Sequence, residues 1–289
     1  MIVSASYRTD IPAFYASWFL ARLAAGACRV RNPYGGKDYE VSLRPDAVDG
    51  FVFWTRNLRP LAPELARVAA VAPFIVPFSV LGYPRALDRA VIGAADAVAQ
   101  LQAVRRDWGP RAAIWRYDPV VLTTLTPPDW HLANFAALAA ALAGTVNEVV
   151  VSFAAPYRKT TRNLDAAAAR HGFTWRDPPT DEKIDLAARL ASIAADHGMV
   201  LTICAQPEVQ LAGVAAARCI DAARLSDVAG RSIVAPEKGN RPGCRCAASR
   251  DIGAYDTCTH GCAYCYAVQN RDAAARRYRA HDPAGETLI

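Results

Sequence analysis

Short runs of β-branched and aromatic residues alternate along this chain with longer stretches that carry apolar residues at helical spacing. The short runs predict six strands, at residues 1–5, 51–54, 74–80, 112–115, 148–153 and 199–204. The amphipathic stretches predict helices over residues 12–25, 60–71, 87–106, 128–143 and 181–197. A strand followed by a helix, repeated in this way, is typical of parallel βαβ units.

This alternation predicts an α/β fold, specifically a parallel β/α barrel, closed or partial and TIM-like. A doubly wound open sheet is less favoured, because no glycine-rich nucleotide fingerprint follows the first strand. The barrel is expected over residues 1–235. Residues 236–270, rich in Gly, Pro, Arg and Cys, predict an irregular metal segment packed on the barrel mouth. Residues 271–289 predict a basic tail with a short helix and a frayed end.

Polar residues follow the predicted strands, where β/α barrels place their chemistry. They are Ser4, Ser6, Arg8, Thr55, Arg56, Asn57, Ser79, Arg116, Asp118, Ser152 and Cys204.

Two Arg-x-Asp pairs stand out among the polar residues at the predicted strand ends. Arg8 with Asp10, and Arg116 with Asp118, could bind a carboxylate or phosphate and transfer protons in catalysis. They could equally bind one another in a structural network, with Asp10 and Asp118 capping the next helices. Lys159 lies in a run of charged residues that faces either the same mouth or solvent.

Composition narrows the class of protein. A chain of 289 residues with 53% hydrophobic residues can bury a large core, and its net charge of +6 comes from scattered arginines rather than one basic face. We find no signal peptide and no apolar stretch long enough to span a membrane, which predicts a cytoplasmic protein. Eight cysteines without a secretory signal indicate metal ligands or catalytic thiols.

Cys258, Cys262 and Cys265 have the spacing C-x3-C-x2-C, which brings three thiolates to one compact inorganic centre. Thiolate is the standard ligand of iron-sulfur clusters, so this motif predicts a [4Fe-4S] cluster. Three ligands leave one iron open to a small molecule. The alternative is a structural zinc site that His260 or Cys246 completes.

The motif, with Tyr264 just before its last cysteine, resembles the signature of the radical S-adenosylmethionine enzymes. The resemblance implies that the open iron binds S-adenosylmethionine and that the reduced cluster generates a deoxyadenosyl radical, which abstracts hydrogen from a substrate. It also implies an electron donor such as ferredoxin or flavodoxin. Ser4, Ser6 and Tyr264 are our candidates for cofactor binding. The chain departs from that family in carrying its cysteines late and in lacking a Gly-Gly-Glu motif.

The chain also resembles, over nearly its full length, a family known as domain of unknown function 1848. The matching stretches are residues 4–12, 30–33, 52–57, 115–119 and 251–267. The cysteine motif of that family is also C-terminal.

Four further cysteines, Cys204, Cys219, Cys244 and Cys246, make up a full complement of cluster ligands. They predict a second [4Fe-4S] cluster near the first, in which case their sulfurs must converge in the fold. The alternative is that Cys204 and Cys219 are small core residues. Cys28 is interpreted as a packing residue at a helix end.

Two functional hypotheses remain open. The first is a radical S-adenosylmethionine-type enzyme that acts on an unknown, small-molecule substrate. The second is a non-enzymatic iron-sulfur or zinc protein that senses redox state or binds nucleic acid. Nucleic-acid binding, which is less favoured, would use the basic residues of the tail, Arg271, Arg276, Arg277 and Arg279.

Overall fold

The structure is a computed structural model that describes residues 1–32, 35, 37–209 and 211–289. Its strands are β1 (Ile2–Ser4), β2 (Ala27–Arg31), β3 (Asp38–Ser42), β4 (Gly50–Val52), β5 (Phe74–Ser79), β6 (Ala113–Val120), β7 (Leu122–Thr123), β8 (Glu148–Phe153), β9 (Trp175–Arg176), β10 (Val200–Ile203) and β11 (Ser249–Asp251). Its α-helices are α1 (Ile11–Phe14), α2 (Ala16–Ala25), α3 (Leu65–Ala69), α4 (Ala94–Trp108), α5 (Pro128–Leu142), α6 (Arg158–His171), α7 (Thr180–Asp196), α8 (Ala222–Ala229) and α9 (Arg271–Arg279). Short 3-10 helices span Ala62–Glu64 and Pro207–Val209.

Seven strands form one parallel sheet in the order β10-β8-β6-β5-β4-β1-β11. From β1 to β10, each strand therefore lies beside the next sheet strand along the chain. In the described part of the chain the edge strands β10 and β11 do not pair. Instead, Ala217 donates its N–H to Ile203 at 2.8 Å, and Ala247 donates its N–H to Ile220 at 2.9 Å. The structure thus shows an α/β fold with a central parallel sheet, and a closed barrel is not shown.

The six predicted strands are confirmed, and β6 extends five residues beyond the predicted end at residue 115, to Val120. The helix predicted over residues 87–106 is wrong in its first part, because α4 begins only after Gly93. Pattern analysis did not predict the β2–β3 hairpin, α6, α8 or β11. Strand β11 lies inside the segment that was expected to be irregular. Its three residues carry no run of apolar side chains, and pairing with β1 makes them a strand.

The six predicted sheet strands, unlike β11, are largely buried on both faces, which explains their nearly continuous apolar sequences. Alternate residues such as Phe51, Val76 and Trp115 pack into the large core beneath the helices. The residues between them, Ile2, Val52, Ile75, Ile114 and Val150, face a second core on the other side of the sheet. We call that side the inner face. The inner face is covered by α8 and by residues of the connecting segments, which include Cys204, Cys219, Cys244 and Cys246.

The C-terminal residues pack on the fold, so the expected frayed end is wrong. Trp18 donates its indole N–H to the Gly285 carbonyl at 3.0 Å, and Arg29 donates its backbone N–H to Glu286 at 2.9 Å. The predicted basic helix is present as α9. Cys28 is a buried packing residue, but it lies in β2, because α2 ends at Ala25 before the left-handed Gly26. Among the described residues, no helix is long and apolar enough to cross a membrane.

Candidate active site and cysteine clusters

A cavity of about 420 Å³ opens where the parallel strands end at their carboxyl side. This volume lies within the range of small-molecule sites, roughly 300–1,000 Å³. Its walls include strand-end residues, the C-terminal cysteine motif and the segment around Cys244. The lining residues that the sequence predicted as functional are Ser6, Arg8, Asp10, Arg116, Asp118, Cys204, Cys219, Cys244, Cys246, Cys258, Cys262, Tyr264 and Cys265. Ser4 is fully buried and does not line the cavity.

Backbone hydrogen bonds fix the loop that carries the C-terminal cysteine motif. Ala90 donates its N–H to the His260 carbonyl at 2.9 Å, and Ala263 donates its N–H to the Leu87 carbonyl at 2.8 Å. Residues 87–90, which pattern analysis assigned to a helix, therefore pair with the motif. On its other sides, the Tyr15 hydroxyl donates to the Thr257 carbonyl at 2.8 Å, and the Asn163 amide of α6 donates to Val268 at 2.9 Å.

The three thiols of the motif lie together at the cavity and receive hydrogen bonds from the protein. Arg56 Nη1 donates to Cys262 Sγ at 3.2 Å, and the Ala267 N–H donates to Cys265 Sγ at 3.4 Å. Burial raises the pKa of Cys262 to about 12, although Arg56 opposes this shift. Burial, together with Asp10 and the two other thiols, raises the pKa of Cys258 as well. Burial therefore favours the neutral thiol at Cys258 and Cys262.

The donor set fits an iron-sulfur cluster by its chemistry, with three thiols on one loop, hydrogen-bond donors to two sulfurs, and open space in front. Within the described ranges, no group of three or more His, Cys, Asp or Glu side chains is arranged to hold a metal ion. The two residues proposed to complete a zinc site have other contacts. His260 Nε2 lies 2.8 Å from Asp10 Oδ2, and Cys246 contacts Cys219.

Arg56 belongs to a buried network beside the motif. Its guanidinium binds Asp88 in a bidentate pair, with Nη1–Oδ1 and Nη2–Oδ2 distances of 2.8 and 2.7 Å. The Tyr264 hydroxyl donates to the same carboxylate at 2.6 Å. Tyr264 thus lines the cavity while its hydroxyl is held by the protein. Asp88 was not among the predicted site residues, because it lies within the helix predicted over residues 87–106.

Asp251 is the second carboxylate that pattern analysis missed, and it organises the turn after β1. It accepts hydrogen bonds from Ser4 Oγ at 3.0 Å and from Ser6 Oγ at 2.8 Å, and Arg8 Nε binds it at 2.7 Å. Arg8 therefore pairs with Asp251, not with Asp10. A Cβ at Gly253 would lie 2.0 Å from Ser6 Oγ, so glycine is required for the strand end and the turn to approach.

Asp10 caps α1 by accepting a hydrogen bond from the Ala13 N–H at 3.0 Å, as the structural alternative expected. It also accepts from Thr55 Oγ1 at 2.8 Å and from the Arg56 N–H at 2.7 Å. With the His260 contact, Asp10 ties the ends of β1 and β4 to the cysteine motif.

Arg116 and Asp118 form an ion pair inside β6, and Asp118 accepts a hydrogen bond from Ser152. The expectation that Asp118 caps a helix is wrong, because β6 continues to Val120. The Arg116 guanidinium lies 4.7 Å from the centre of the Trp54 ring and donates to Cys219 Sγ at 2.7 Å. Arg116 thus faces the cavity and one of the further cysteines.

The four further cysteines come together on the inner face of the sheet. Cys204 Sγ and Cys219 Sγ are 3.5 Å apart, Cys219 is a hydrogen-bond partner of Cys246, and Cys246 is one of Cys244. The contact with Cys246 lowers the pKa of Cys244 to about 6. The contact between Cys204 and Cys219, together with burial, raises the pKa of Cys204. All eight cysteines of the chain are free thiols.

The basic residues expected at the surface differ in their contacts. Arg277 donates to the Tyr255 carbonyl at 3.0 Å, whereas Arg276 and Arg279 are exposed and Arg271 is partly buried. Lys159 lies in the first turn of α6, and its amine is 5.0 Å from the centre of the Tyr255 ring.

Fold and site together define an α/β protein with two cysteine groups that line one cavity. A family model described as a domain of unknown function (DUF1848) matches residues 2–267, and the chain belongs to this family. The match includes both cysteine groups and excludes α9. The comparison with curated proteins finds no match.

Proposed function

We propose that this protein is an iron-sulfur enzyme of the radical S-adenosylmethionine type. The observation that carries the proposal is that Cys258, Cys262 and Cys265 line one cavity with the carboxyl ends of the parallel strands. A centre held by three thiolates on this loop would face a space that is large enough for a small molecule. The cysteine motif is thereby connected to a substrate site.

When bound, a reduced [4Fe-4S] cluster supplies the electron that cleaves S-adenosylmethionine into methionine and a deoxyadenosyl radical. The residues of the chain prepare this reaction. Arg56 and the Ala267 N–H orient two of the sulfurs, and Asp88 holds Arg56 in place. Asp10 and His260 connect the cysteine loop to the strand ends through their 2.8 Å contact.

The order of the sheet supports a partial, TIM-like barrel as the finer description of the fold. Strands β1, β4, β5, β6, β8 and β10 follow one another both along the chain and across the sheet, as barrel strands do. The segment over residues 215–220 is hydrogen-bonded to β10 and to Ala247, two residues before β11, which supports a partial closure of the sheet on this side.

The cavity suits a small substrate, and two cationic side chains, Arg116 and Arg241, lie on its wall. Turnover requires an electron donor, for which a ferredoxin or a flavodoxin is suitable. Eight free cysteines suit a reducing compartment, and we place the protein in the cytoplasm.

The test is anaerobic purification followed by counting of iron, sulfide and zinc. We expect iron and sulfide in equal amounts without stoichiometric zinc. After reduction with dithionite and incubation with S-adenosylmethionine, we expect release of deoxyadenosine and methionine, even without substrate. A fully loaded and reducible protein that cleaves no S-adenosylmethionine would contradict the enzymatic proposal, and stoichiometric zinc without iron would contradict the cluster.

The matched variants are Cys262→Ala and Cys28→Ala. The first removes a motif thiol and is expected to abolish cleavage. The second removes a buried thiol in β2, outside both cysteine groups, and is expected to keep cleavage at the wild-type rate. Equal losses in the two variants would mean that cleavage depends on general stability rather than on the motif.

A further inference from the structure

The second cysteine group is assembled from three separate places in the chain. Cys204 follows β10, Cys219 lies in the segment that borders β10, and Cys244 and Cys246 lie shortly before β11. Their side chains nevertheless form a continuous series of contacts, beginning with the 3.5 Å approach of Cys204 Sγ to Cys219 Sγ. Tertiary structure therefore places four thiols together on the inner face of the sheet, at the cavity.

Hydrogen-bond donors surround these sulfurs. Arg116 Nη1 donates to Cys219 Sγ at 2.7 Å, and the Ile220 N–H donates to Cys246 Sγ at 3.4 Å. Arg241 Nη2 lies 3.9 Å from Cys204 Sγ and donates to the Cys204 carbonyl at 3.3 Å. The donors thus reach three of the four cysteines.

Thiols that serve as small apolar core residues are not expected to lie against two guanidinium groups. Burial of a cation is costly unless negative charge faces it, whereas a packed thiol is neutral and is satisfied by apolar neighbours. Arg116 is almost completely buried and already neutralises Asp118. The further contacts of Arg116 and Arg241 with cysteines place positive charge beside the four thiols, where an anionic centre would lie, and cysteines gathered in fours are ligands of iron-sulfur clusters.

We infer that Cys204, Cys219, Cys244 and Cys246 hold a second iron-sulfur cluster, which faces the same cavity as the first. Four protein thiolates leave no iron open, so this cluster does not bind S-adenosylmethionine. Cys204 Sγ and Cys219 Sγ, which are 3.5 Å apart, would have to separate to admit an inorganic core between them. Arg116 and Arg241 offset the negative charge of the centre. This inference goes beyond the proposed function and does not depend on it.

The experiment counts iron and sulfide in four anaerobically reconstituted full-length proteins. These are the wild type, the double variant Cys204→Ala/Cys246→Ala, the triple variant Cys258→Ala/Cys262→Ala/Cys265→Ala, and the control Cys28→Ala. With a four-iron cluster at each site, we expect about eight iron atoms per chain in the wild type and the control, and about four in each multiple variant. The electron paramagnetic resonance signal of the reduced triple variant should not change on addition of S-adenosylmethionine.

The iron counts distinguish a result that contradicts the second cluster from one that contradicts the proposed function. A triple variant without iron and a double variant with wild-type iron would overturn the second cluster while leaving the first. The reverse result, with all iron lost in the double variant and none in the triple variant, would support the second cluster and overturn the proposed function. A disulfide between Cys204 and Cys219 in the anaerobic protein, detected by peptide mass, would also overturn the inference.

Loss of folding is controlled in two ways. The triple variant leaves the second group intact, so its remaining iron reports on that group directly. Cys244→Ala/Cys246→Ala removes two of the four thiols, including the most accessible one, and we expect it to lower the iron content with an unchanged circular dichroism spectrum. Full iron content in a folded protein with both substitutions would contradict the four-thiolate site.

Discussion

His131 is a fully buried imidazole whose hydrogen bonds require it to be neutral. Its Nε2 lies 3.1 Å from the Val121 carbonyl, which can only accept, so Nε2 carries the proton. Its Nδ1 then accepts from the Tyr117 hydroxyl at 2.9 Å, and Asn134 donates to that hydroxyl at 3.0 Å. Burial lowers the pKa of His131 to about 4. His131 therefore carries only the proton on Nε2 in the folded protein at neutral pH.

This burial predicts a pH-dependent stability. The unfolded chain binds a proton at His131 with a pKa of about 6.5, whereas the folded protein does so only near pH 4. As the pH falls from 6.5 to 4, the unfolded state gains protons, and the free energy of unfolding decreases by on the order of 3 kcal/mol. Urea titrations of the wild type and His131→Gln across this window should show a shallower slope for the variant. The exposed His171→Gln is the control and should keep the wild-type slope. Parallel slopes for wild type and His131→Gln would exclude a neutral buried imidazole.

Helix α8 begins at a capping aspartate and covers the inner face of the sheet. Asp221 accepts hydrogen bonds from the Ala223 and Arg224 N–H groups at 2.9 and 3.1 Å. The helix then packs Leu225 against Gly50, where an added Cβ would lie 2.7 Å from the leucine side chain, and pairs the buried Arg224 with Glu148 of β8. The cap thus supports the element that closes the second core.

Removal of the cap predicts a measurable loss of stability. Asp221→Ala leaves two N–H groups without an acceptor and is expected to lower the free energy of unfolding by about 1 kcal/mol. The control on the same helix is Asp227→Ala, which breaks only the partly exposed pair with Arg111 and should cost about 0.5 kcal/mol or less. Chemical denaturation of both variants gives the comparison. Equal costs would show that the cap is not what stabilises α8.

The C-terminal residues pack against elements from the beginning of the chain. Leu288 is only 4% exposed and packs in the large core, whereas the adjacent Ile289 is 38% exposed. Around Leu288, the Gly285 and Glu286 carbonyls accept hydrogen bonds from α2 and β2, and Tyr278 of α9 makes an edge contact with Tyr15. The last residues therefore belong to the folded unit.

These contacts predict different effects for two neighbouring substitutions. Leu288→Ala creates a cavity in a buried site and is expected to cost about 2–5 kcal/mol. Ile289→Ala removes an accessible side chain and should change the stability by about 0.5 kcal/mol or less. Denaturation midpoints of the two variants measure the difference. Similar midpoints would mean that the end of the chain contributes little to the core.

The strands of the sheet were predictable because burial on both faces leaves a continuous apolar run in the sequence. Residues 74–79 and 148–153 are of this kind, and their positions follow from the pattern alone. The hairpin of β2 and β3 escaped prediction because its strands are partly exposed and charged, and α6 escaped because a run of charged residues hides its helical spacing. Strand β11 exists only through its pairing with β1.

At the candidate site, the sequence by itself determined the cysteine motif and the strand-end residues Arg8, Asp10, Arg116 and Asp118, because local spacing and strand polarity are properties of the chain. The pairing of Arg116 with Asp118 was among the alternatives that the sequence offered, whereas only the tertiary structure decided the other partners. Asp251 pairs with Arg8, and Asp88 pairs with Arg56, because a buried guanidinium binds the carboxylate that folding brings nearest. The convergence of Cys204, Cys219, Cys244 and Cys246 was likewise decided by the fold, since contact between distant segments leaves no periodic signal in the sequence.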